Sequence, residues 1–88
     1  MTTKAPSAVS EFPPESLEKI AYNSVSSIPA QEPNDLNRLG YHIWRWLVMR
    51  QGTIDEAIRE SGARIKIQKS EAASFIREAL AKQGVTNI

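Results

Sequence analysis

The sequence predicts a mostly α-helical fold: a small three-to-four-helix domain with one short extended segment, at about 64–68, between the last two helices. Three observations carry this. Apolar residues recur every three to four positions through 35–51, 54–61 and 71–83. Punctuation sits where those runs start and stop, with Thr53-x-x-Glu56 as a capping box and Gly52, Gly62 and Gly84 after the last periodic residues. All five prolines precede Asn34, so the remainder of the chain lacks the residue that breaks helices most strongly.

The elements follow in order. A short helix is expected over 14–26, opened by Pro14 and presenting Leu17, Ile20, Ala21 and Ser24 on one side. The main helix is expected over about 35–51, with Asn34 as its N-cap and Gly52 ending it. At 100° per residue its apolar arc holds Leu36, Leu39, Gly40, Ile43, Trp46 and Leu47. Gly40 lies mid-arc, where a missing side chain lets another backbone come close. The third helix, 54–61, turns Ile54, Ala57 and Ile58 inward, and Asp55 and Glu56 suit the positive end of its dipole. The fourth, 71–83, places Ala72, Ala73, Phe75, Ile76, Ala79 and Leu80 on one arc, and Gly84 sets Val85 against Leu80 in a Schellman ending. Between the last two, Ile65 and Ile67 alternate with Arg64, Lys66 and Gln68, a period-2 pattern that suits an extended segment.

Eighty-eight residues allow one small domain, expected over 14–88, after a mobile N-terminal segment at 1–13. With no cysteine, disulfide scaffolds, Cys-ligated metal centres and thiol nucleophiles are excluded. The net charge of +1 conceals a division. Residues 1–34 set two lysines against four glutamates, and 35–88 set nine basic side chains against six acidic ones. The most apolar stretch, 43–49, contains Arg45 and falls far short of the ~20 residues that cross a bilayer. With no secretory signal pattern in the first residues, a cytoplasmic location is the default expectation.

Catalysis and cofactors find little support. His42 is the single histidine, and Arg38 and Arg45 beside it on a helix repel a cation. Asp35-x-Asn37-x-x-Gly40 imitates the start of a calcium loop, but Leu39 stands at a ligand position and Trp46 where the closing Glu belongs. The four glycines are scattered, so no phosphate-cradling loop is present. The chain is therefore expected to be no enzyme, with no catalytic, cofactor or metal residues.

Surfaces remain. Tyr41, Trp44 and Val48 carry the apolar surface of the main helix beyond one core-facing arc, and Arg38, His42 and Arg45 form a basic stripe at i, i+4 and i+7. Candidate protein-contact residues are Arg38, Tyr41, His42, Trp44 and Arg45. They make the chain a small non-catalytic interaction or regulatory module, acting on another protein or on its own copy. The alternative is a dimeric DNA-binding regulator. There Arg64, Lys66 and Gln68 on one face of the extended segment, with Lys69 following, enter a groove as β-ribbon readers do. A membrane surface is disfavoured, because Trp46 and the best core residues of the main helix compete with lipid for the same arc.

Overall fold

Proline decides where the first two helices begin. The computed structural model describes residues 14–85, so the expectation for 1–13 lies outside it. Among the described residues there are four helices: α1 (Pro14–Val25), α2 (Pro33–Met49), α3 (Ile54–Ser61) and α4 (Lys69–Lys82). Pro14 opens α1, and Pro33 occupies the first helical position of α2, where a fixed φ and a missing N–H cost nothing. Helix α2 thus starts before the expected Asn34 cap. Glu32 takes the cap position, and Asp35, on the first turn, reaches back to accept the Glu32 backbone N–H at 3.1 Å.

The end of α2 also differs from expectation. Arg50 takes the cap position in the left-handed conformation (φ 55°) and donates its N–H to the Trp46 carbonyl at 2.7 Å, and Gly52, two residues further on, is at positive φ as well (79°). The Trp46 indole N–H bonds the Gly52 carbonyl at 3.0 Å, folding the turn back onto the helix. The Arg50 guanidinium lies 5.2 Å from the centre of that ring, within cation–π range. The α3 capping box forms as the sequence requires, Glu56 N–H to Thr53 Oγ1 at 3.1 Å and Thr53 N–H to Glu56 Oε1 at 2.8 Å. Helix α4 ends in the expected Schellman pattern, Val85 N–H to Leu80 O and Gly84 N–H to Ala81 O, with Gly84 at φ 96°.

Helix α2 packs against α1 and α3, and α4 packs against the same two. The core collects the faces read from the sequence: Leu39, Ile43 and Leu47 of α2, Ile58 of α3, and Ile76 and Leu80 of α4 are fully buried. Leu36 is only half-buried against it. Phe75 is a correction, since 47% of it remains exposed. It lies about 100° round the helix from Ile76, at the edge of the arc that α1 and α3 cover. Gly40 is occupied from the other side by the Tyr22 ring of α1 rather than by a backbone. At the far end of the α1–α4 contact, Gln83 Nε2 donates to the Ile20 carbonyl at 3.1 Å, and Asn23 Nδ2 donates to Gln83 Oε1.

The extended segment becomes one antiparallel bridge, Ala30 to Ile65, with no strand among the described residues. Gln31 N–H bonds the Arg64 carbonyl at 2.9 Å, and Lys66 N–H bonds the Pro29 carbonyl at 2.8 Å. Proline lends only its carbonyl, so the bridge goes no further on that side. Beside it the Asp35 carboxylate is buried, with Arg64 Nε 3.6 Å from Oδ1 and Arg64 Nη2 3.5 Å from Glu32 Oε2. Burial pushes the Asp35 pKa up. The Arg64 backbone N–H and guanidinium, the Glu32 N–H and the Arg38 charge outweigh it and hold the group below the ordinary carboxylate range.

A folded pKa below the unfolded one stabilises the fold wherever the unfolded group is ionised, and that stabilisation is lost as pH falls through the folded value. The urea midpoint of wild type is therefore expected to exceed that of Asp35→Asn at pH 7. The gap should close below about pH 4, near the ordinary Asp value. A gap of constant size from pH 7 to pH 3 would show that Asp35 ionisation contributes nothing.

Candidate functional site

Helix α2 meets α1 and α3 along the arc of Leu39, Ile43 and Leu47, which leaves the opposite side of the cylinder uncovered by the other described helices. Tyr41 and Val48 point there, 45% and 53% exposed. They are seven residues apart, two helical turns, and so lie in one line. Trp44 lies between them along the helix, toward the flank, half-buried against the core. The Tyr41 ring meets the Trp44 ring edge-on at 5.9 Å and the His42 ring edge-on at 5.6 Å, the geometry that aromatic quadrupoles favour. The buried Trp44 Nε1–H has no acceptor, so this indole is held by packing alone.

Charge borders the stripe on one side. Arg38 and Arg45, at i−3 and i+4 from Tyr41, are both exposed and make no ion pair with any described residue. The only carboxylate of α2 is the buried Asp35. The exposed charge of the helix is therefore wholly positive.

The five residues expected at a protein contact are thus divided. Tyr41 and Trp44 belong to the outer stripe, Arg38 and Arg45 to its basic edge. His42 is half-buried and turns toward α3, where with Arg45, Trp46 and Met49 it lines a cleft of about 250 Å³ opposite Glu56 and Glu60. Val48 joins the stripe although it is not among the five. The sequence already sets it with Tyr41 and Trp44 beyond the core-facing arc, and its seven-residue spacing from Tyr41 puts the two in line.

The second candidate region is divided as well. Lys66, Gln68 and Lys69 are exposed around the start of α4, whose N-cap Gln68 makes no side-chain cap bond. Arg64 is drawn away from them into the Glu32–Asp35 cluster. Among the described residues no group of three or more His, Asp or Glu side chains is placed to hold a metal ion, and no helix is long and apolar enough to cross a membrane. Protein-family models, curated proteins and solved structures yield no match to this chain.

Proposed function

We propose that this chain is a small, non-catalytic, cytoplasmic interaction module that binds protein through the outer face of α2. The observation that carries the reading is the aligned exposure of Tyr41 and Val48 beside the half-buried Trp44. Large apolar side chains left outside a core this small are a loss to folding, and a contiguous apolar stripe edged by charge is the usual composition of a contact surface. Tyrosine and tryptophan are also the residues that most often dominate binding energy when a partner desolvates them.

A photo-crosslinking amino acid placed at 41 or 48 tests this in cells that express the chain. Discrete crosslinked species are expected from both positions and none from position 78, on the exposed face of α4. Equal, diffuse crosslinking at all three would end the reading. Tyr41→Ser and Val48→Ser, both at exposed positions, are expected to abolish the crosslinks without unfolding the domain, whereas Trp44→Ala would confuse lost contact with lost packing.

The nucleic-acid reading retains one supporting observation, the exposure of Lys66, Gln68 and Lys69 around an uncapped helix start. It requires duplex binding that weakens steeply as salt rises. No retention on mixed-sequence duplex DNA at low salt would remove it.

A further inference from the structure

We infer that the partner of the α2 face is a separate protein presenting an acidic amphipathic helix, rather than a second copy of this chain. This rests on the contact face proposed above and follows from its charge. Between Pro33 and Met49 the only carboxylate is Asp35, buried and already engaged by the Glu32 N–H and Arg64. Everything charged that α2 exposes is positive. Arg38 and Arg45 border the apolar stripe one turn to either side of Tyr41, and no described carboxylate pairs with them. Glu56 and Glu60 of α3 face Arg45 across its cleft and the buried Asp35 feels the Arg38 charge, yet among the described residues neither guanidinium is within ion-pair distance of a carboxylate, so both retain the capacity to bind one.

A two-fold pairing of this face with itself brings like charge onto like charge. If Tyr41 of one copy meets Val48 of the other on antiparallel helices, residues 44 and 45 fall at the symmetry axis, because an isologous contact pairs each residue with its mirror position. Arg45 of each copy then stands beside Arg45 of the other, with no carboxylate on either α2 to offset them. Like-charge juxtaposition in a desolvating contact selects against a partner. A helix with apolar residues at i, i+4 and i+7 and Asp or Glu on the flanking positions meets both requirements. It covers Tyr41, Trp44 and Val48 and supplies carboxylates to Arg38 and Arg45.

Three measurements on the full chain decide it. In sedimentation equilibrium the purified protein is expected to remain monomeric over the micromolar range. A concentration-dependent dimer lost in Tyr41→Ser would overturn this inference while leaving the contact face intact. In a displayed library of 20-residue helices with randomised exposed positions, peptides selected on the protein are expected to place Asp or Glu beside an apolar i, i+4, i+7 line. Their binding should fall at least about tenfold on the Arg38→Glu/Arg45→Glu variant. It should return when the selected acids are exchanged for Lys, with circular dichroism checking that the variant folds. Basic or uncharged winners, or binding indifferent to the charge reversal, would overturn it. So would a selection yielding no peptide dependent on Tyr41 and Val48, which would remove the contact face as well. Finally, no binding is expected to phosphatidylserine vesicles. Vesicle binding abolished by Arg38→Glu/Arg45→Glu would assign the face to an anionic lipid surface instead.

Discussion

Leu39→Ala is expected to cost about 2–5 kcal/mol of stability, whereas Val48→Ala in the same helix should change it by less than about 0.5 kcal/mol. Both substitutions trim a branched apolar side chain to a methyl, Leu39 losing three carbons and Val48 two, so burial accounts for most of the contrast. Leu39 is fully enclosed, on the arc of α2 that faces both α1 and α3. Its truncation removes apolar area from the core and leaves a cavity that four short, mutually packed elements cannot readily collapse. A domain of this size sits near the low end of the usual 5–15 kcal/mol, so Leu39→Ala should leave a substantial unfolded fraction at 37 °C. Val48 has half its surface in water already. Chemical denaturation of the two variants measures the difference directly, and equal losses would mean that Leu39 is no more buried than Val48.

Gly40→Ala is expected to destabilise wild type yet stabilise a Tyr22→Ala background. In an isolated helix the change is favourable by about 1 kcal/mol, because glycine gives up more backbone freedom than alanine. Here a Cβ on residue 40 would overlap Cδ1 of the Tyr22 ring and stand 2.6 Å from Cε1. Those are ring atoms of a half-buried side chain seated between α1 and α2. Displacing it costs about 1–3 kcal/mol by overpacking, which leaves a net loss of up to about 2 kcal/mol once helix propensity is counted. Without the ring only the propensity gain remains. The sign change across the double-mutant cycle is the diagnostic, since contacting residues couple and distant ones add. A gain in both backgrounds would show that the ring does not rest on Gly40.

Much of the fold was legible because helices are specified locally. The capping box at Thr53 and Glu56, the Schellman end at Gly84 and Val85, and the 3.6-residue spacing of Leu39, Ile43 and Leu47 each depend on residues within one or two turns. The misreadings came where two local signals compete. Asn34 is a good N-cap residue, but Pro33 before it is a better first helical residue, and Asp35 can cap from inside the turn. Gly52 does take positive φ, but it serves the turn that the Trp46 indole draws in, and Arg50 two residues earlier is the left-handed cap that ends the helix. Phe75 lies at the edge of its arc, where periodicity cannot say whether a neighbour reaches it.

The candidate site divides on the same line. That α2 carries more apolar surface than one face can bury, and a single acid, is written in residues 33–49; that this acid, Asp35, is buried is decided by packing. Which of its aromatics stay outside depends on where α1 and α3 lie. Only packing could separate Trp46, which closes against the α3 turn, from Tyr41, which stays nearly half exposed. The same holds for the basic residues: Arg64 reads as one of a cationic run with Lys66 and Lys69 until the Ala30–Ile65 bridge brings Glu32 and Asp35 beside it.

By itself, then, the sequence determined a helical domain, its caps, its core-facing arcs and a basic body, since each of these follows from neighbours along the chain. The tertiary structure alone decided which apolar and charged groups remain free to meet a partner. A side chain's freedom is set by elements distant in sequence, and those are brought to it only by folding.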